Sequence, residues 1–120
     1  MGSITCIILT KNEEKNLPSA LQNAASWADE ILVVDSGSDD GTVEIAKKSG
    51  ASVIYRAWDG DFAAQRNFAL TGAHGDWVLY LDADERLTAG AIQKVLAIKK
   101  GAPNHHYSFR RENIAFGHHF

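Results

Sequence analysis

Four short runs of apolar, mostly β-branched residues, separated by stretches of helical period, constrain this fold more than any other feature of the chain. The runs cover residues 4–9, 31–34, 52–55 and 77–81, and each is nearly continuous in apolar character rather than alternating. Continuity of that kind predicts strands buried on both faces. Between the first two runs, Leu17, Ala20, Leu21, Ala24 and Ala25 fall on one helical stripe, with Pro18 acceptable in the first turn. Residues 42–48 predict a second helix ended by Gly50, and Asp61 is placed to cap a third that runs from Phe62 to about Thr71. Thr88 caps a fourth, whose stripe is Ala91, Ile92, Val95 and Leu96. The order βαβαβαβα implies right-handed crossovers, hence an α/β fold with a mainly parallel sheet and helices on both faces. Beyond Gly101, His106-Tyr107-Ser108-Phe109 reads as the start of another strand.

With 120 residues the chain has one domain's worth of sequence, short for an enzyme that must hold two substrates. A net charge of -3 and a pI near 5.9 argue against a nucleic-acid binder. No window approaches the ~18 consecutive apolar residues of a membrane span, and residues 4–9 are too short for the apolar core of a secretory signal. The single cysteine, Cys6, offers no disulfide framework and reads as a small core residue, which places the protein in the cytoplasm.

In an open parallel sheet, ligands bind beyond the carboxyl ends of the strands, near the point where strand order reverses. Three polar clusters stand at such ends: Thr10-Lys11-Asn12-Glu13-Glu14, Asp35-Ser36-Gly37-Ser38-Asp39-Asp40-Gly41 and Asp82-Ala83-Asp84-Glu85. Two carboxylates one residue apart at the end of a buried strand suit a hard divalent cation that keeps positions open for water and phosphate. Gln65-Arg66-Asn67, near the start of the third helix, adds a basic group where an anion is favoured. Together these residues predict a site for a nucleotide.

Four blocks, Ile-Ile-Leu-Thr-Lys-Asn-Glu-Glu, Val-Val-Asp-Ser-Gly-Ser-Asp-Asp-Gly-Thr, Ala-Gln-Arg-Asn-Phe-Ala and Leu-Asp-Ala-Asp-Glu, follow one another along the chain. In their order and spacing they resemble the family 2 glycosyltransferases of GT-A fold. Within that family, Thr-Lys-Asn-Glu-Glu, Asp-Ser-Gly-Ser and Asp-Ala-Asp-Glu-Arg are most similar to the bacterial lipopolysaccharide core glycosyltransferases. The resemblance covers residues 4–88 well. It implies that Thr10, with Asn12, Glu14 and Ser38, lines the nucleoside of a nucleotide sugar, that Asp35 accepts from the base, and that Arg66 lies near the diphosphate. Asp82 would approach the ribose or the metal, and Asp84 would bind the metal, Mn²⁺ or Mg²⁺, directly. It further implies a UDP-sugar donor, a glycan or glycolipid acceptor, an inverting mechanism and contact with the inner membrane face; a short chain that works as a homodimer is the alternative to a truncated one. In two places the chain departs from many relatives, which carry an aromatic residue where Lys11 stands and a second Asp where Ser36 stands.

The residue chemistry agrees with these roles. A divalent cation at Asp84 would stabilise the departing nucleoside diphosphate as a Lewis acid, with Arg66 adding a second positive contact. Without a cation, Asp35, Asp82, Asp84 and Glu85 would repel a diphosphate. The general base of an inverting transfer is less clear. Glu112 is a weak candidate, and the base is expected beyond Phe120, which makes the chain the nucleotide-binding part of a longer enzyme, truncated on its acceptor side.

Each motif has a plainer reading. Asp82 and Asp84 alone suit a solvated turn, residues 35–39 a turn feeding a helix, Asn12 and Glu14 a helix start, and Arg66 an exposed ion pair. Trp27, Trp58 and Trp77 read as core or rim packing. His74 reads as a loop residue, and the pairs His105-His106 and His118-His119 as surface or acceptor-side residues, since adjacent strand residues face opposite ways. A noncatalytic nucleotide-sugar-binding module is the rival from another class. A nucleotidyltransferase and a dehydrogenase lose ground because no Gly-rich phosphate loop follows the first strand.

Overall fold

In the computed structural model, which describes residues 3–100 and 115–118, all four apolar runs form strands, and three of them extend one residue past their apolar ends. β1 spans Ile4–Thr10, β2 Glu30–Asp35, β3 Ser52–Tyr55 and β4 Trp77–Asp82. Three helices lie between them, α1 (Leu17–Ala25), α2 (Thr42–Lys48) and α3 (Phe62–Gly72), and α4 (Ala89–Lys100) follows β4. Thr10, Asp35 and Asp82 are therefore the last residues of strands, not the first of loops. The ladder itself fixes their backbones.

The sheet order is β3-β2-β1-β4-β5, and the first four strands are parallel. From β1 the chain winds outward through β2 to β3, then crosses back to lay β4 on the other side of β1. Strand order thus reverses between β1 and β4, where a crevice opens at the carboxyl ends. Register completes the arrangement: Thr10 pairs with Asp35, and Leu9 with Asp82. The last two residues of the central strand are flanked by one carboxylate from each neighbour.

β5 (Ala115–His118) adds antiparallel to β4. A four-residue segment containing glycine carries little apolar signal, so the pattern did not reveal it. The expected strand at residues 106–109 lies outside the described residues, as do Glu112, His105 and His119.

Two apolar clusters clamp the sheet. Ile4, Cys6 and Ile8 of β1 pack with Leu17, Leu21 and Ala24 of α1, Ala46 of α2 and Val95 of α4 on one face. Ile7, Leu32, Val34 and Val78 meet Ala69 of α3 on the other. Helices therefore cover both faces, three against one. Trp27 and Trp77 are core residues, 1% and 0% exposed, each worth roughly 1.5–3 kcal/mol or more in burial. Cys6 is wholly buried, and burial pushes its thiol well above its ordinary value, so it is an inert core residue.

β3 departs from the expectation of two buried faces. Its pattern is exposed at Ser52 and Tyr55 and half-buried between, because it is the sheet's edge and pairs only with β2. The caps agree with the sequence: Asp61 accepts from the Ala64 N–H at 3.1 Å, and Thr88 Oγ1 from the Ala91 N–H at 3.1 Å. The chain leaves α2 through Gly50 at φ +90°. His74 precedes β4 as a loop residue, its backbone and ring bonded to the Glu30 carboxylate at 2.9 and 2.8 Å.

Candidate functional site

The turn after β4 is tight: the Glu85 N–H donates to the Asp82 carbonyl at 2.9 Å, and the Glu85 carboxylate accepts from the Asp82 N–H at 3.3 Å. Between the two aspartates, Ala83 is 2% exposed and packs into the core beneath the turn. With the middle residue turned inward, Asp82 is left half-buried and Asp84 exposed on the outer side. Arg86 ties the turn to α1, donating to the Ala83 carbonyl at 2.7 Å, to the Asn16 carbonyl at 2.8 Å and to Ser19 Oγ at 2.8 Å. Nothing in the linear pattern around Arg86 marks that role.

Asp35 is 3% exposed and accepts four hydrogen bonds. Thr10 Oγ1 (2.7 Å) and Ser38 Oγ (2.6 Å) donate to one oxygen, and the Gly37 and Ser38 N–H groups (2.9 and 2.8 Å) to the other. Burial alone would raise this carboxyl, but the bonds from Ser38, Thr10 and Gly37 outweigh it and hold it below its ordinary value. Its acceptor capacity is thus engaged inside the loop.

Asn12, Glu14 and Ser38 latch two loops together. The Asn12 N–H donates to Ser38 Oγ (2.8 Å), Asn12 Oδ1 accepts from the Asp39 N–H (2.7 Å), and Glu14 Oε1 accepts from the Gly41 N–H (2.9 Å). Lys11 Nζ donates to the Gly37 carbonyl at 2.7 Å, and the Glu13 N–H to Thr42 Oγ1 at 2.8 Å. Asn12 sits at φ +55°, a left-handed conformation that asparagine tolerates. Neither Asn12 nor Glu14 caps α1, whose N-cap is Asn16.

Beside these loops lies a cleft of ≈ 630 Å³ lined by Leu9, Thr10, Lys11, Glu13, Ser36, Ala57, Trp58, Gln65 and Asp82. Of the residues expected to touch nucleotide or metal it brings Thr10 and Asp82 together, and Lys11, Glu13, Ser36 and Gln65 join them from the same polar clusters. Asp35, Asn12, Glu14 and Ser38 are not part of that lining but hold together the loops that carry Lys11 and Ser36, while Arg66 and Asp84 also lie outside it. Arg66 is exposed, its guanidinium 5.2 Å from the centre of the Tyr80 ring, and its charge is felt at Asp82. The ring contact, not an ion pair, is what the described residues give it.

Gln65, expected beside Arg66 as part of an anion site, and Trp58, expected in core or rim packing, both line the cleft. Gln65 is 1% exposed. Its amide donates to Ser36 Oγ at 3.0 Å, and its carbonyl accepts from Arg56 at 2.8 Å. It stands four residues before the buried Ala69, and a polar residue on the stripe that faces the sheet is the signal that marks it.

The acidic turn fits a divalent cation. Burial raises the Asp82 carboxyl above its ordinary value, the Asp84 charge raises it further and Glu13 adds to this, against the lowering effects of Arg66 and the bond with Glu85. Like charges converge here, and a cation is what would relieve them. Among the described residues no group of three or more His, Cys, Asp or Glu side chains could hold a metal, so two carboxylates would leave the remaining positions to water and phosphate. The sign for stability follows. A carboxyl raised in the fold contributes stability present below its ordinary pKa of about 3.9, lost as pH rises through the raised value. Asp82→Asn is therefore expected to melt above the wild type at pH 7 in chelator, by less than about 1 kcal/mol. That difference should shrink below pH ~4, which thermal melts at both pH values will check.

Residues 5–114 match the family model described as Glycosyl transferase family 2. An uncharacterized glycosyltransferase of Rickettsia typhi is 44% identical over 88 residues, covering 73% of this chain and 30% of that protein. Among solved structures, the mannosyltransferase PcManGT from Pyrobaculum calidifontis, in complex with GDP-Man and Mn²⁺, superposes with a TM-score of 0.68 at 27% identity, over 82% of this chain and 32% of that one. Glucosyl-3-phosphoglycerate synthase from Mycobacterium tuberculosis, in complex with Mn²⁺, UDP and glucosyl-3-phosphoglycerate, gives a TM-score of 0.59 at 25% identity, over 71% and 36%. The chain spans less than a third of the length of the curated relatives that it matches.

Proposed function

The chain belongs to glycosyltransferase family 2, and from that membership we propose that its cleft binds a nucleotide-diphospho-sugar with a divalent cation and serves transfer of the sugar to a glycan or glycolipid acceptor. The sheet is the GT-A arrangement that the sequence resemblance implied. The observation that carries the proposal is the convergence of Thr10, Asp82 and the Asp84 turn on the crevice where strand order reverses.

Asp82 and Asp84 would hold Mn²⁺ or Mg²⁺. When bound, the ion supplies Lewis-acid stabilisation of the nucleoside diphosphate as it departs. Arg66, on the same side as Asp82, offers that group a second positive charge. Thr10, Ser36 and Gln65 line the cleft; Gln65 steadies Ser36 through its amide, and the Asp35 network, which engages the Thr10 hydroxyl, keeps the loop that carries Ser36 in place. A UDP-sugar is the donor we favour, in keeping with the UDP held by the mycobacterial synthase, whereas the archaeal mannosyltransferase holds GDP-Man. The sharpest form is inverting hexose transfer to a lipopolysaccharide core, which rests on Thr10-Lys11-Asn12-Glu13-Glu14, Asp35-Ser36-Gly37-Ser38 and Asp82-Ala83-Asp84-Glu85-Arg86. Such an acceptor would bring the protein to the cytoplasmic face of the membrane. No helix among the described residues is long and apolar enough to cross one.

Calorimetric titration of UDP, GDP, ADP and dTDP, each with and without Mn²⁺, tests this directly. UDP is expected to bind most tightly, and at least about tenfold more tightly with the metal, a difference of ~1.4 kcal/mol. Equal affinity for all four with and without Mn²⁺ would rule the donor site out. Release of UDP from a UDP-sugar in the presence of a glycolipid acceptor then separates transfer from binding alone.

A further inference from the structure

Trp58 is the one tryptophan of the three that does not go into the core: it remains 47% exposed while its indole lines the cleft. A single exposed apolar residue needs no explanation on an ordinary surface. This one sits in a loop that is fastened on both sides. Before it, the Arg56 N–H donates to the Asp35 carbonyl at 3.0 Å, and the Arg56 guanidinium reaches Gln65 Oε1 and the Asp59 carboxylate, each at 2.8 Å. After it, Asp59 accepts from the Asp61 N–H at 3.0 Å, and Asp61 in turn caps α3. Polar fasteners thus hold a loop whose large, half-exposed indole lines the same cleft as Lys11, Ser36 and Gln65.

Strand order gives that face a partner. Trp58 follows β3 at one edge of the parallel strands, whereas Asp82 ends β4 and Asp84 follows it. β3 and β4 are three interstrand spacings apart, about 14 Å at ~4.8 Å each. A nucleotide anchored by its diphosphate at the β4 end, and running over Thr10 and Ser36, brings its base toward the β3 side. The sugar hangs beyond the diphosphate and away from Trp58. Lys11 offers no competing surface, because its ammonium is bound to the Gly37 carbonyl. We propose that Trp58 is the platform on which the donor's nucleobase stacks, an inference that rests on the donor-site reading. Every base presents a π-face, so the platform supplies affinity and leaves the choice of base to other groups.

The test compares wild type, Trp58→Phe and Trp58→Ala by calorimetry in Mn²⁺, with UDP, pyrophosphate and UDP-glucose as probes. Loss of the indole is expected to weaken UDP about 5- to 140-fold, the range that base–aromatic stacking implies. Pyrophosphate binding should be unchanged, and Trp58→Phe should retain most of the UDP affinity. Unchanged UDP affinity in Trp58→Ala overturns the proposal. So does an equal loss for UDP and pyrophosphate, which would mean a general collapse of the cleft, and so does a loss confined to UDP-glucose, which would make the indole a sugar platform. A wild type that binds no nucleoside diphosphate in a metal-dependent way overturns the donor-site reading itself, a result distinct from the other three.

Discussion

Asp84→Asn is expected to abolish the metal-dependent part of nucleoside diphosphate binding and to lower any transfer activity by on the order of 10²–10³-fold, the scale of losing one electrostatic contact to a developing charge. The fold should survive. Asp84 is exposed at the outer side of its turn, and the turn is held instead by the Glu85 N–H to Asp82 carbonyl bond, by Arg86 and by buried Ala83. Surface substitutions of that kind stay within about 0.5 kcal/mol in stability. The check is a pair of UDP titrations, with Mn²⁺ and with chelator, on both proteins, beside their melting curves. If wild type and variant bind equally well with and without metal, the assignment of Asp84 to the cation is wrong.

Asp35→Ala is expected to do the opposite, damaging stability first. It would strip a partner from Thr10 Oγ1, Ser38 Oγ and the Gly37 and Ser38 N–H groups at once. Buried donors left unsatisfied cost ~1–3 kcal/mol each. Water can reach part of this loop, so the net loss should be about 3–5 kcal/mol, on the order of 10 °C or more in melting temperature. The pH dependence has a definite sign. Asp35 is held below its ordinary value, so its stabilisation is present above the unfolded pKa of about 3.9 and lost as pH falls through the lowered value. Wild type should therefore lose in acid a contribution that the variant lacks at every pH. A variant that melts within about 2 °C of wild type at pH 7 would show that the loop does not depend on this carboxylate.

What the sequence discloses here follows from how local each interaction is. The apolar runs locate β1, β2 and β4 because burial on both faces needs unbroken apolar character, and Asp61 and Thr88 reveal their helix starts because capping acts within three residues. β3 has the same apolar signature yet sits at an edge, since position in a sheet is decided by crossovers rather than by composition. The acidic turn was readable for the same reason as the strands: it adjoins one. The latch was not. Asn12 bonds Ser38 and Asp39 across 26 and 27 positions, and Arg86 reaches Asn16 and Ser19 across 70 and 67. Nothing in a linear pattern distinguishes such residues from ones that would touch a ligand directly.

The neutral letter of Asp82-Ala83-Asp84 has a consequence for how such a motif varies. Because Ala83 is pressed into the core with 2% of its surface exposed, the separation of the two acidic groups is set from beneath, by the volume available under the turn. A methyl group that touches no ligand acts as the spacer of two residues proposed to share one. If Asp82 and Asp84 share a cation, a larger side chain at position 83 would push them apart from beneath and disturb the chemistry without altering a single formal charge.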